Sequence, residues 1–280
     1  MTTNRKPRDL TADDLVLSHF TLGRHHNIEN RVVAAADAGC AAIGLYTRDY
    51  QRLEDEGAVE RLESLLDENG ICLAEIEALR GWGDPAVASS DDYLAQEATA
   101  FRMADRFESR YVQAIGPVAD DVATAAGGFA AMCDRAAQHG LVVGLEFLPF
   151  TNVVDAADAL RLVEAADRDN GGVCVDVWHH TRGANDLDLI RAIPGERITA
   201  IQVSDGPLAP TLDSYYEDCL RTRVPPGDGE MDVAGFLDAV RSTGTTVPIA
   251  LEVCNDTTWD TDARGFVAAC ASGLRALQTR

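Results

Sequence analysis

Val173-Cys174-Val175-Asp176-Val177-Trp178-His179 is the stretch on which the fold turns. A short run of Val and Cys reads as a strand buried on both faces, as in a parallel sheet. The carboxylate of Asp176 inside it, with His179 three positions on, is costly to bury unless it has a partner. The pattern repeats on either side of this stretch. Val143-Gly144-Leu145-Glu146-Phe147 precedes it, Ile201-Gln202-Val203-Ser204-Asp205 follows, and Ile249-Ala250-Leu251-Glu252-Val253 comes last. Further out, apolar runs occupy residues 15–20, 41–46, 71–78, 111–115, 141–147, 173–177, 198–203 and 249–253.

Segments with helical spacing lie between these runs, at 28–38, 59–66, 95–107, 123–138, 154–166, 233–240 and 263–277. Glycines at 39, 70, 140, 171 and 244 punctuate the helix-to-strand joints. Eight β–α alternations without a linker or composition break predict a single (β/α)8 TIM barrel over residues 15–280, preceded by a polar tail at 1–14. The alternative, a doubly wound sheet, opens with a Gly-rich phosphate turn. Here the turn reads Leu22-Gly23-Arg24-His25-His26, so no NAD site is expected.

Composition removes other classes. Asp plus Glu number 46 and Lys plus Arg 24 in 280 residues, a net charge of −22. Such a chain repels nucleic acid. Lys6 is the only lysine, so a pyridoxal-phosphate imine has no nucleophile in the barrel. Seven scattered cysteines without a C-x-x-C pair read as reduced thiols. The N-terminus has no apolar signal core and no stretch is long enough for a membrane span, so a cytoplasmic protein is expected.

Barrel chemistry sits at the C-terminal ends of the strands. Glu146, Asp176, Gln202 and Glu252 end four neighbouring runs, and three carboxylates with an amide oxygen at one mouth call for a divalent cation. The oxygen-rich set favours Mn2+, with Mg2+ or Co2+ as alternatives. Zinc ranks lower because no His or Cys stands clearly among the ligands. The competing reading pairs each carboxylate with an arginine.

Glu146, the Asp176–His179 pair, Gln202–Asp205, Arg223-Val224-Pro225-Pro226-Gly227-Asp228-Gly229 and Glu252 resemble the xylose-isomerase-like TIM-barrel superfamily of sugar phosphate isomerases and epimerases. The resemblance implies that Glu146, Asp176, Gln202 and Glu252 hold the metal, and that Glu146 and Glu252 are also the acid/base pair. His179 and Arg223 would bind substrate. The implied activity is isomerisation or epimerisation of a small polyhydroxylated keto substrate through an enediolate. The runner-up is a lyase of the 3-dehydroshikimate or inosose dehydratase type, towards which Gln202 leans, because the family's third ligand is commonly histidine. A metal-free binding protein is a third reading, and a homo-oligomer is possible by analogy.

His25, Trp178 and Glu77 complete the substrate-site candidates. Of Glu75 and Glu77 on the third run, Glu77, nearer the strand end, is taken as the one facing inward. Asp205 is expected to orient a neighbouring group.

Overall fold

The computed structural model describes residues 6–22, 26–258 and 262–279. Eight strands, β1 Leu15–Leu17, β2 Ala42–Tyr46, β3 Cys72–Arg80, β4 Tyr111–Ile115, β5 Val142–Glu146, β6 Gly171–Asp176, β7 Ile198–Val203 and β8 Ile249–Leu251, close in chain order into a parallel barrel. β8 returns to β1, with Leu15 facing Ile249. This is the (β/α)8 barrel that the alternation predicts.

The helices of the outer ring are α1 Ile28–Asp37, α2 Thr47–Asp55, α3 Val59–Asn69, α4 Pro85–Ala88, α5 Asp91–Phe107, α6 Val122–Ala137, α7 Ala156–Ala166, α8 Val177–Arg182, α9 Leu187–Arg191, α10 Tyr215–Arg221, α11 Val233–Ser242 and α12 Ala263–Gln278. Part of the acid excess finds a local use here. Asp84, Asp121, Asp155, Asp176, Asp186, Asp232 and Asp262 each cap a helix N-terminus by accepting a backbone N–H. A carboxylate there satisfies an orphan donor and meets the positive end of the helix dipole.

Among the described residues of the segment before β1, Pro7 and Leu10 are buried. Leu10 packs with Val16, Ala42, Cys72, Ala74 and Ala250, so this part of the expected polar tail closes the barrel floor. All seven cysteines are buried. Among the described residues no helix is long and apolar enough to cross a membrane.

Register positions the site. Ile115 on β4 faces Glu146 on β5, and Asp176 on β6 faces Gln202 on β7. Gln202 in turn faces Ala250, which puts Glu252 just past the end of β8. The polar strand ends therefore meet on one rim of the barrel.

Candidate active site

Asp176 ends β6 and begins α8 without an intervening loop. One of its oxygens caps the helix by accepting from the Trp178 N–H at 2.7 Å. The cap fixes the carboxylate, and one turn of α8 then brings His179 back over it. His179 Nε2 lies 3.5 Å from Asp176 Oδ2 and 3.4 Å from Glu146 Oε1. Donor atoms of Glu146, Asp176 and His179 all fall within 4.8 Å of one another, and all three side chains are buried. Burial pushes the imidazole pKa down to about 3, so His179 is neutral and keeps a lone pair. Glu146 is pushed well above the ordinary carboxylate range by burial, then by the charges of Glu252 and Asp176.

Glu252 stands across this group. Its Oε1 accepts from the Gln202 amide at 2.9 Å and from the Ser18 hydroxyl at 3.3 Å. Burial, with Asp176 nearby, pushes it up to about 8 against the pull of Arg223. Gln202 turns its carbonyl to the Cys174 thiol at 3.2 Å, so its amide joins the site through the NH2 group. Gln113, which the sequence reading missed, donates to Glu146 at 2.9 Å. Its signal was available: an amide two residues before the end of β4, on the inward face.

Arg223 is 1% exposed and bridges the rim. Its Nη1 lies 2.8 Å from Asp176 Oδ2 and 3.1 Å from Glu252 Oε2, and its Nη2 is 3.4 Å from His179 Nε2. The arginine-pairing alternative is thus realised for two of the carboxylates through a single guanidinium, while Glu146 receives no arginine partner among the described residues. Trp178 is fully buried, and the guanidinium groups of Arg182 and Arg223 lie 4.5 and 5.3 Å from its ring centroid. It supports Arg223 from behind.

The third strand requires a correction. Residues two apart on a strand share a face, so Glu75 and Glu77 both point inward, and each is 1% exposed. Glu77 accepts from the Ser18 hydroxyl at 2.9 Å and the His19 N–H at 3.1 Å, which links it through Ser18 to Glu252. Gly44 leaves room for it, because a Cβ there would strike Glu77 Oε1. Glu75 lies deeper, 3.7 Å from Arg110, and burial raises it to about 7. His25 and its neighbour Arg24 lie outside the described residues.

The segment after β7 completes the rim. Asp205 accepts from the backbone N–H groups of Gly206, Gly227 and Met231 at 2.8, 2.9 and 3.0 Å. It therefore holds the Pro-Gly loop closed. Gly229 permits this, since a Cβ there would collide with the Asp205 carboxylate. Tyr215 on α10 places its hydroxyl 3.0 Å from His179 Nδ1.

A family model for the xylose isomerase-like TIM barrel matches residues 32–272. The chain belongs to this family. Among curated relatives, a 3-dehydroshikimate dehydratase of Pseudomonas putida is 36% identical over 150 residues, 51% of this chain and 22% of that one. An inosose isomerase of Bacillus subtilis is 28% identical over 125 residues, 44% and 43% of the two chains. The matched stretch thus spans less than half the length of either relative. Among solved structures, an IolI protein with a bound zinc atom superimposes with a TM-score of 0.83 at 18% identity, covering 94% of this chain and 97% of that one. A probable 3-DHS dehydratase of Bacillus anthracis gives 0.75 at 18% identity, covering 94% and 98%.

The rim of this xylose isomerase-like barrel fits a divalent cation by the chemistry of its donors. Glu146, Asp176 and His179 present three acceptors to one point, and a shared proton or a cation relieves their repulsion. Fully ionised, Glu146, Asp176 and Glu252 would exceed the single positive charge of Arg223, and the raised pKa of Glu146 and Glu252 shows the cost of that excess. A neutral imidazole beside two carboxylates also suits zinc, so the reason for ranking zinc lower falls away.

Proposed function

We propose that this chain is a divalent-metal-dependent enzyme that enolises a small polyhydroxylated ketone, giving isomerisation or epimerisation. The observation that carries the reading is the convergence of Glu146, Asp176 and His179 at the mouth, with Glu252 facing them. Glu146, Asp176 and Glu252 are the proposed ligands, with His179 within reach; Gln202, expected as a fourth, turns its oxygen to Cys174 and instead orients Glu252 through its NH2 group. Manganese is the proposed ion, and magnesium, cobalt and zinc are also compatible with the donors.

A bound divalent ion supplies Lewis-acid stabilisation of the negative charge that develops on the carbonyl oxygen. The protein's own groups do the rest. Glu252, held by Gln202, Ser18 and Arg223, and Glu146, held by Gln113, approach from different strands. One removes the proton next to the carbonyl and the other returns it on the opposite face. His179 presents the lone pair of Nε2 to a substrate hydroxyl or to the ion, Arg223 holds Asp176 and Glu252 in place beside it, and Glu77 joins them through Ser18. Burial of the whole set keeps water from quenching the enolate.

Dehydration is the second reading, favoured by the Gln202 amide and by the higher identity to the dehydratase than to the isomerase. There the same carboxylate starts the reaction and a β-hydroxyl leaves. Incubation in D2O with 3-dehydroshikimate and with an inosose, after loading with Mn2+ or Zn2+, tests both readings by NMR. Deuterium uptake next to the carbonyl without loss of water supports isomerisation, and a conjugated dehydrated product supports the lyase. Neither change with either ketone contradicts enolisation.

A further inference from the structure

We propose that Glu77 and Glu252 hold one proton between them through the Ser18 hydroxyl, and that Glu77 thereby sets whether Glu252 meets the substrate as a base or as an acid. The inference rests on the enolising reading above and gives Glu77 the part of a positioning residue within it.

Ser18 is drawn on from two sides. Its hydroxyl oxygen lies 2.9 Å from Glu77 Oε2 and 3.3 Å from Glu252 Oε1. A serine hydroxyl has one proton to donate, so it serves one of these oxygens at a time. With both carboxyls ionised, the other contact would set a lone pair against a carboxylate. Ser18, Glu77 and Glu252 are all buried, so water does not relieve that contact cheaply. One added proton removes it: the protonated carboxyl donates to Ser18, and Ser18 donates to the ionised one.

The remaining partners decide where the proton rests. Glu252 Oε1 also accepts from the Gln202 amide at 2.9 Å, and its Oε2 lies 3.1 Å from Arg223 Nη1. Glu77 Oε1 accepts from the His19 N–H at 3.1 Å, which leaves Oε2 to Ser18. A guanidinium and an amide favour the ionised form more than one backbone N–H does. The proton therefore rests on Glu77 Oε2 and points at Ser18. Burial, with the charges of Glu252 and Glu75, pushes Glu77 well above the carboxylate range in the same sense. Tyr46 faces it from β2, and the charge of Arg31 on α1 reaches it while that guanidinium is bonded to the His19 carbonyl. The His19 ring beside it pairs with Asp49, and burial holds the imidazole neutral.

Movement of this proton is a balanced exchange. Glu77 Oε2 gives its proton to Ser18 Oγ as Ser18 Oγ gives its own to Glu252 Oε1. One negative charge passes from Glu252 to Glu77. Before the shift Glu252 can take a proton from the carbon next to the carbonyl, and after it Glu252 can return one. A reversible isomerisation needs both forms, and the pair supplies them without opening the site to solvent.

The test is infrared difference spectroscopy of the carboxylic acid C=O stretch near neutral pH, with and without Mn2+. A Glu75→Gln background keeps the second buried carboxyl of β3 from adding a band. Expected is one acid band that Glu77→Gln deletes, Ser18→Ala displaces and Ser18→Thr returns towards its original position. No band lost in Glu77→Gln, or a band that Ser18→Ala leaves in place, overturns the proposal. Turnover of 3-dehydroshikimate and an inosose is read on the single variants. Glu77→Gln and Ser18→Ala should each lower kcat about tenfold or more while KM changes by less than about twofold. The acid band and its Ser18 dependence without turnover of either ketone by the wild type sink the enolising reading alone. Turnover that neither variant slows sinks this one alone.

Discussion

The Tyr215 hydroxyl lies 3.0 Å from His179 Nδ1, and this contact ties the α10 segment to the centre of the site. With Arg223 Nη2 facing Nε2, the ring proton belongs on Nδ1, where it donates to Tyr215. Tyr215→Phe removes that partner and frees the ring. Because an outer hydrogen bond orients a metal-binding imidazole, affinity for Mn2+ or Zn2+ should fall about tenfold, read by competition with a chelator. Stability should change by no more than about 1 kcal/mol. Unchanged metal affinity would separate His179 from the ion.

Arg223 offers a sharper contrast. Its removal leaves Asp176 and Glu252 buried without a counter-charge, so Arg223→Met should cost about 3–5 kcal/mol in the metal-free protein, measured by chemical denaturation. Added divalent cation should recover part of that loss. A loss that Mn2+ and Zn2+ leave untouched would mean that the two carboxylates do not share a cation site.

Glu75 gives a pH prediction away from the rim. Its pKa is raised from 4.5 to about 7 by burial, so the folded chain binds the extra proton in that interval and the unfolded chain does not. Its stability contribution is therefore fully present below pH 4.5 and is lost as pH rises through about 7. The loss is roughly 3 kcal/mol above that range. Glu75→Gln should raise the melting temperature relative to wild type at pH 8, and the gap should close towards pH 4.5. A gap independent of pH would show that Arg110 keeps Glu75 ionised throughout.

Asp205 accepts three backbone N–H groups with one carboxylate. Asp205→Ala should cost about 3–5 kcal/mol, because each orphaned donor loses a charge-assisted partner. Hydrogen exchange at Gly227 and Met231 should accelerate. Protection equal to wild type at both amides would show that the loop is held by other contacts.

The barrel was legible because each strand is a short apolar run between amphipathic helices, and buried parallel strands leave that signature even in a chain as acidic as this one. Glu146, Asp176 and Glu252 were legible because a carboxylate inside such a run stands out. The helices α2 and α10 were not, since Thr47–Asp55 and Tyr215–Arg221 are mostly polar and carry no long apolar stripe. Tyr215 was hidden with α10. Arg223 was found, but one guanidinium bridging Asp176 and Glu252 is a contact between distant strands that spacing does not reveal. Glu75 was misjudged through the strand period, and zinc was ranked low because α8 folds His179 back onto Asp176, a turn that begins without a break in the apolar pattern.

The central claim is that the acidic rim holds one divalent cation. Its most direct test is calorimetric titration of Mn2+ and Zn2+ into the chelator-treated protein and into Glu146→Gln and Asp176→Asn variants. The account predicts one equivalent bound by the wild type with a rise in melting temperature, and loss of both effects in each variant that still folds. No saturable binding by the wild type, or equal binding by wild type and both variants, would contradict it.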